Sequence, residues 1–281
     1  MTAAAHRTGH AAGRTGPPRT RAVPERVRSL LLGLTGLVGF GLLLEVLART
    51  GVVPARYLPP TSRILTELVD SAASGTLWAA AGNTVLTWAI GLGLAVAAAV
   101  VLGLIIGSVP LLRAATASTI EFLRPIPSVA WIPAAIVLYG PVRAGTLLIV
   151  VYAAFWQMLV QVLHGVVDVD PVARDTARSY RLGPIARVRW VVLPTALPYL
   201  VTGLRLAATV ALILTVTGEL FVGTPGLGAE ILRASAGGAV ATTYALVVVT
   251  GLLGVAANLA FRALERYLLS WHPSIRREVP A

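Results

Sequence analysis

Two residue types are absent from this chain of 281 residues: it contains neither cysteine nor lysine. Without cysteine there is no disulfide, no thiolate metal site and no cysteine nucleophile. Without lysine the chain can form neither a Schiff base nor the phosphate-binding loop of a Walker-type ATPase, in which a lysine contacts the phosphates. We therefore expect no Walker-type ATPase site and no thiolate metal site. We also expect no other metal, no cofactor and no enzymatic activity in this chain itself.

Charged residues are also scarce, at 12% of the chain, whereas 56% of residues are hydrophobic and the mean hydropathy is +0.80. This composition excludes an ordinary soluble domain. About six apolar segments approach or exceed the roughly 20 residues that a helix needs to cross a bilayer. They lie near 30–47, 85–108, 117–138, 144–163, 197–221 and 243–261. The sequence therefore predicts an all-α polytopic membrane protein with six transmembrane helices.

The arginines are unevenly distributed across this predicted topology. The side that holds both termini carries Arg7, Arg14, Arg19, Arg21, Arg26, Arg28, Arg113, Arg174, Arg178, Arg181, Arg187, Arg189, Arg262, Arg266, Arg276 and Arg277. The other side carries Arg49, Arg56, Arg63, Arg143 and Arg233, and two more, Arg124 and Arg205, lie within segments. Arginine excess marks the cytoplasmic side, so we expect a multi-pass protein of the cell membrane with both termini cytoplasmic. The net charge of +11 then reflects topology, and we expect contact with membrane lipid and no nucleic-acid partner.

The first apolar run follows a basic start, as it would in a signal peptide. However, the run at 30–47 exceeds the usual length of a signal-peptide core, and no clear A-x-A-like cleavage site follows it. We therefore favour an uncleaved first span. After it, Thr61 or Ser62 is expected to cap a short amphipathic helix that lies on the outer membrane surface.

Small residues and prolines mark the second and third segments. Gly103 and Gly107 lie four residues apart in the second, a spacing that lets helices approach closely in lipid. The third contains Pro125, Pro127 and Pro133, each of which frees a backbone carbonyl and bends the helix. We expect the third span to be bent and to lie in the interior of the bundle.

A polar island at 168–194, DVDPVARDTARSYRLGPIARVRWVVLP, interrupts the apolar sequence. It reads as two short helices broken at 181–184, where Gly183 is suited to ending one helix and Pro184 to opening the next. A simple connection between two membrane helices needs only a few turn residues. The island therefore predicts a docking surface on the cytoplasmic side.

Polar residues inside the apolar segments are candidates for a substrate path. Gln157, Gln161 and His164 share one face of the fourth segment, and Glu219 lies near the outer end of the fifth. The glutamines and the histidine can equally make hydrogen bonds between helices. Glu219 can equally be a partly solvated carboxylate that accepts hydrogen bonds from the Gly-rich loop after it.

The stretch DTARSYRLGPIARVRWVVLP at 175–194 resembles the EAA loop of ABC importer permeases. In that pattern Asp175, Thr176 and Ala177 stand for Glu-Ala-Ala, and Leu193-Pro194 closes the motif. Arg181 occupies the position of the family's glycine, so we expect Gly183 to supply the turn two residues later. The segments LPPT at 58–61, RPIPSVAWIP at 124–133, LPTALPYLVTGLRLA at 193–207, GLG at 226–228, and LER and SWHP within 264–273 are similar to the sulfonate, nitrate and taurine branch of the family.

The resemblance implies a fold like that of type I ABC importer permeases. It also implies a homodimer, two cytoplasmic ATPase subunits that drive transport, and an extracytoplasmic solute-binding protein. The imported solute would be a small anion such as an alkanesulfonate, taurine or nitrate. The residues that the resemblance assigns to ATPase coupling are Asp175, Thr176, Ala177, Tyr180, Arg181, Gly183, Leu193 and Pro194. We expect a helix at about 171–180, with Ala177 and its neighbours Thr176 and Tyr180 on the surface that meets the ATPase.

Four parts follow from this interpretation. We expect a disordered Arg-rich cytoplasmic tail at 1–28, and the first transmembrane helix with the outer amphipathic segment at 29–76. The core permease domain would occupy 77–270, and a cytoplasmic tail 271–281.

Three alternatives remain open at this point. An ion-coupled secondary transporter would need ionisable residues near mid-membrane, usually within inverted repeats, and neither is evident. A membrane-embedded enzyme would need a reactive cluster, and the four histidines offer no metal-spaced pair within a span. An ABC permease for another small solute, such as a thiamine precursor, is the third.

Overall fold

A computed structural model describes residues 25–54 and 56–270, and every regular element in this part of the chain is a helix. The helices are α1 (Glu25–Arg49), α2 (Thr61–Ala73), α3 (Gly75–Ser108), α4 (Pro110–Leu123), α5 (Ile132–Tyr139), α6 (Arg143–Val167), α7 (Pro171–Ser179), α8 (Pro184–Arg187), α9 (Leu193–Val222), α10 (Leu227–Ala236) and α11 (Val240–Leu268). A 3₁₀ turn, Ser128–Trp131, precedes α5, and a π-helical turn, Val188–Val192, joins α8 to α9. The predicted all-α fold is confirmed. The predicted tails at 1–28 and 271–281 lie almost entirely outside the described residues.

Five helical stretches of the described chain are long and apolar enough to cross a membrane. They are Leu31–Arg49 within α1, α3, α6, the continuous stretch Pro184–Val222, and α11. A sixth span results if α4 and the stretch 128–139 are counted together, although they are bent by 82°. Each of the six predicted segments therefore coincides with a helix or with the bent pair.

The third predicted span differs most from its prediction. It is bent as expected, because Pro125 and Pro127 fall in the break after α4 and Pro133 opens α5. The predicted interior position is wrong for this chain, since α4 buries none of its residues and Ala135 is the single buried residue of α5. Arg113 also lies in the first turns of α4 and not in a loop, because the helix restarts at Pro110, a residue that favours a helix start.

The core of the bundle is formed by α3, α6 and α9. Gly103 and Gly107 of α3 face α6, and a Cβ built on them would lie 2.6 Å and 2.9 Å from side-chain atoms of Val162 and Val166. Only glycine permits this distance between the helices, as the spacing predicted. The two valines are fully buried or nearly so, and both belong to the main hydrophobic cluster.

The helix α2 is amphipathic as predicted, but it is held differently from the prediction. Neither Thr61 nor Ser62 caps it: the residue before the helix is Pro60, and no side-chain cap is present. Thr61 instead donates its hydroxyl to the carbonyl of Gly41 at 3.0 Å, and Ser62 donates its N–H and its hydroxyl to Glu45 at 3.0 Å and 2.9 Å. The two side chains therefore attach α2 to α1, which is otherwise largely exposed.

Two features near the fifth span were not expected from the sequence. The helix that Pro184 opens was predicted, but it continues without a break into the fifth span, so the arginines at 187 and 189 lie on a helical extension of that span, where arginine is a favourable residue. The Gly-rich loop is followed by α10, whose first residue, Leu227, is completely buried against Leu77, Ala80 and Leu246. This packing stabilises a helix that begins among glycines, which local preference would not favour.

Candidate docking surface and membrane groove

The helix α7 has well-defined ends. Asp170 precedes it and accepts a hydrogen bond from the backbone N–H of Val172 at 2.8 Å, and Pro171 occupies its first position. Asp175, on the exposed side of α7, forms an ion pair with Arg178 at 3.1 Å. The sequence therefore produces a short, capped helix in the predicted polar island, close to the predicted bounds of 171–180.

The exposed face of α7 is not centred on Ala177, the residue that the sequence placed on the ATPase-binding surface. Val172, Thr176 and Tyr180 recur every four residues and are exposed, with 71% of Val172 and 79% of Tyr180 accessible. Ala177 follows Thr176 and points about 100° away from it around the helix, and it is only 4% exposed. The prediction that Ala177 itself lies on the outward surface is therefore wrong, because its side chain faces a cavity that Val166 of α6 and Val191 also line. We call Val172, Thr176 and Tyr180 the docking face.

The turn after α7 also differs from the prediction. Arg181 adopts a φ of +54°, the left-handed conformation that favours glycine. The N–H of Arg181 donates to the carbonyl of Arg178 at 2.8 Å, and that of Leu182 to Ala177 at 3.0 Å, which is the bonding of a Schellman helix end. Gly183 has a φ of −63° and an extended backbone, so it does not supply the turn. The turn stays at Arg181, where the family pattern places glycine.

Arg181→Gly is therefore expected to stabilise the protein. Removing a non-glycine side chain from a left-handed position gains about 1 kcal/mol, which raises the thermal midpoint by about 2–4 °C. Thermal unfolding of the purified protein measures this shift. Gly183→Ala is the matched control, because nothing lies within 4 Å of a Cβ built there. An unchanged or lowered midpoint for Arg181→Gly would contradict the strain at this position.

Leu193 and Pro194 open α9, directly after the π-helical turn, and both are exposed. They lie past the end of the extension that began at Pro184, so they are not part of the short helices of the island. The structure places them at the start of the apolar part of the fifth span. Their predicted coupling role stays a prediction.

The polar face of α6 is partly turned towards α9. Gln157 and Gln161 are half-buried and His164 is exposed. A Cβ built on Gly203 of α9 would lie 2.8 Å from the Cβ of Gln161, so Gln161 is closely packed against that helix. Neither glutamine side chain has a hydrogen-bond partner within the described part of the chain. Their place on a substrate path stays a prediction.

Glu219 is fully buried near the end of α9. Its Oε2 accepts hydrogen bonds from the hydroxyl of Thr84 at 2.9 Å and from the N–H of Gly228 at 3.0 Å. The hydroxyl of Thr84 in turn accepts from the N–H of Leu227 at 2.9 Å. The expected bond to the Gly-rich loop is thus present, but the carboxylate is not partly solvated as predicted, since α3 and the start of α10 enclose it.

The loop beside Glu219 is fitted to its carboxylate. A Cβ built on Gly226 would lie 2.1 Å from Cδ and Oε1 of Glu219, and one built on Gly228 would lie 2.8 Å from the Cβ of Glu219. Thr224 of the same loop is bonded through its hydroxyl to Thr146 of α6 at 2.9 Å. These contacts give Glu219 a positioning role: it holds the loop and α10 against α3 and α9. Its role on a substrate path stays a prediction.

A groove between α9 and α11 was not found from the sequence. It has a volume of about 1110 Å³ and includes the ion pair of Arg205 with Glu265, whose N and O atoms are 3.4 Å apart. Its further polar residues are Thr202, Thr209, Thr217, Thr250 and Asn258. The threonines of α9 recur at intervals of seven and eight residues, which returns them to one helix face. That periodicity is the signal by which the groove could have been found.

The match to a protein family decides the class of this molecule. Residues 99–270, more than half of the chain, match the family described as "Binding-protein-dependent transport system inner membrane component". The chain belongs to this family. It is therefore a multi-pass inner-membrane permease subunit of an ABC importer, and the resemblance inferred from residues 175–194 is confirmed.

Several relatives of this permease are named for small solutes that carry an anionic group. The taurine transport system permease protein TauC of Escherichia coli K12 is 31% identical over 228 residues, 78% of this chain and 82% of TauC. The bicarbonate transport system permease protein CmpB of Synechococcus elongatus is 25% identical over 87% of this chain and 91% of CmpB. The putative aliphatic sulfonates transport permease protein SsuC of Bacillus subtilis is 25% identical over 82% of this chain and 83% of SsuC.

The fold agrees with that of a solved ABC transporter. One chain of the MetNI methionine ABC transporter, from a structure described as inward facing, superposes with a TM-score of 0.56 at 18% sequence identity. The match covers 75% of this permease and 98% of that chain. The likeness supports the fold, and at this identity it carries no information on the solute.

Proposed function

We propose that this permease imports a small anion, with an alkanesulfonate, taurine or nitrate as the best candidates. The observation that carries the proposal is the similarity to permeases named for taurine, aliphatic sulfonates, bicarbonate and nitrate. All of these solutes are small and carry an anionic group. Membership of the family leaves no support for the ion-coupled secondary transporter or the membrane enzyme.

The groove between α9 and α11 is the best candidate for one wall of the translocation path. It brings Arg205 and several hydroxyl groups together on an open face of the chain. Arg205 is 39% exposed and already paired with Glu265, so the groove offers a partly neutralised cation and not a deep basic pocket. Weak binding of this kind suits a path that must release its solute. A second copy facing the groove would close the path, which supports a homodimer.

Uptake by the assembled importer in vesicles tests the solute class. Small sulfonates and similar anions are expected to compete with one another for import, because they share the anionic group that the relatives' solutes carry. Competition by a neutral thiamine precursor or a cation, with no effect of the anions, would contradict the proposal. Light scattering of the assembled importer is expected to give two copies of the permease.

The docking face of α7 is the proposed contact for a separate ATPase. The helix is capped and lies within the polar island. It exposes the docking face, which contains the apolar side chain of Val172 and the ring of Tyr180 and is flanked by arginines of the island. An exposed apolar patch with a polar rim is typical of a protein contact site. This chain lacks the lysine of a Walker ATPase loop, so we propose that the energy comes from the docked subunit, while a solute-binding protein delivers the anion from outside.

We also propose that both termini and the polar island are cytoplasmic. The excess of arginine at these sites supports this orientation. Reporter fusions after Arg113, Arg187 and Arg277 are expected to report cytoplasm. Fusions near Arg63, Arg143 and Arg233 are expected to report the outside, and a cytoplasmic signal at Arg233 would contradict the topology.

A further inference from the structure

A small cavity lies beneath α7, where this helix and α8 meet the ends of α3 and α6. Its volume is about 280 Å³, which is close to the smallest volume of a typical ligand pocket. A cavity of this size favours a small ligand group. Valines such as Val109 and Val166 form much of its wall, and three arginines, Arg174, Arg178 and Arg187, reach it. The cavity therefore combines an apolar lining with positive charge, and the proposed solute path does not include it.

Two of the three arginines already have partners. The guanidinium of Arg174 donates a hydrogen bond to the carbonyl of Val166. Arg178 is paired with Asp175 on the exposed side of α7. These contacts partly satisfy both side chains while leaving their positive charge near the cavity.

Arg187 differs from both. It is half-buried, its Nε is enclosed, and its guanidinium has no hydrogen-bond partner among the described residues. Within the described part of the chain, no carboxylate lines the cavity that Arg187 reaches. An enclosed donor of a charged group without an acceptor is costly. The arrangement is explained if an anion completes it.

We propose that this cavity binds a phosphate or sulfonate group that carries an apolar chain, with Arg187 as its principal ligand. A guanidinium presents donors in a planar fork that matches the oxygens of such groups. The valine walls would accept the attached chain. An anionic phospholipid headgroup and a soluble alkyl phosphate or sulfonate share this chemistry, and both could reach the proposed cytoplasmic side.

A ligand in this position would contact both α7, which carries the docking face, and the extension that leads into α9. It would therefore favour one placement of α7 relative to the membrane helices, provided that it binds that placement more tightly than others. The proposal concerns a binding site separate from the transported solute, and it holds whichever anion is imported.

Binding to the full-length protein in neutral detergent tests the proposal. The probes are dioctanoyl phosphatidylglycerol, pentyl phosphate, and dioctanoylglycerol as the lipid without phosphate, and the readout is the thermal midpoint against ligand concentration. We expect saturable stabilisation by one or both phosphate-bearing probes and none by dioctanoylglycerol. Stabilisation by the lipid alone identifies a headgroup as the source, and stabilisation by pentyl phosphate shows that a soluble ligand suffices.

Three variants test whether ligand binding depends on Arg187 and on the cavity. Arg187→Gln is expected to weaken binding by about ten- to hundredfold, which corresponds to the loss of charge-assisted hydrogen bonds. Ser108→Phe places a ring at the cavity wall without changing the charge and is expected to weaken binding as well. Arg113→Gln removes an exposed arginine outside the cavity and is expected to leave binding unchanged. Absence of binding, or equal binding by all three variants and the parent protein, would overturn the proposal.

Discussion

Tyr180→Glu is expected to abolish import while membrane insertion stays normal. The side chain is 79% exposed on the docking face, so a charge there disturbs no packing within the permease. In contact with an ATPase groove, however, the new carboxylate would be desolvated without a partner. Interface hot spots, among which tyrosine is enriched, cost at least about 2 kcal/mol when they are lost, which corresponds to about 30-fold in affinity. Uptake in vesicles and co-purification of the ATPase measure both effects.

Tyr267→Glu is the matched control for this experiment. It is the same substitution at a residue that is 81% exposed, at the end of α11. We expect it to leave ATPase co-purification at the parent level. If the ATPase co-purifies equally well with the Tyr180→Glu and Tyr267→Glu variants, the docking face of α7 is not the surface that contacts the ATPase.

The sequence alone would have led to a poorer experiment. Ala177 is the residue that the family pattern highlights, and Ala177→Arg would have been expected to block docking. Because Ala177 is 4% exposed, an arginine there would first disturb the packing of α7 on its own chain. Loss of uptake by that variant would not separate docking from folding, whereas Tyr180 separates them.

Local patterns predicted the features that depend on neighbouring residues. The four-residue spacing of Gly103 and Gly107 predicted a close helix contact, and the helix break at 181–184 followed from local turn chemistry. Which face of α7 points outwards could not be predicted, because it depends on where the ends of α3 and α6 lie. The conformation of Arg181 was missed for a related reason: the pattern of helix-ending bonds, not residue preference, determines which residue turns.

Long-range contacts explain the other features of the structure that the sequence did not predict. The sequence showed that a carboxylate in a membrane helix needs partners, and one of these, the loop after Glu219, was named correctly. The other, Thr84, lies 135 residues away and could not be inferred without the fold. Likewise, Arg205 and Glu265 are 60 residues apart, so their pairing across the groove depends on how α9 and α11 pack.

Gly226→Val is expected to destabilise the protein strongly. Its backbone is extended, so the obstacle is space: the first carbon of the new side chain would lie 2.1 Å from the Glu219 carboxyl group, which would have to move. Moving that carboxylate would deprive Thr84 and the N–H of Gly228 of their buried acceptor. Overpacking and unsatisfied polar groups together are expected to cost more than about 3 kcal/mol. Size-exclusion chromatography after heating measures the lost stability.

Two further variants decide what Glu219 does. Gly82→Val is the control for size, because Gly82 is exposed on α3 and nothing lies within 4 Å of a Cβ built there, so stability near that of the parent is expected. Glu219→Gln keeps an oxygen that can accept from Gly228 and Thr84, and a positioning role therefore predicts nearly normal stability and uptake. A Glu219→Gln variant that stays as stable as the parent but loses uptake of the anion would show that Glu219 contacts the solute. That result would place Glu219 on the substrate path. It would contradict the purely positioning role that its burial indicates.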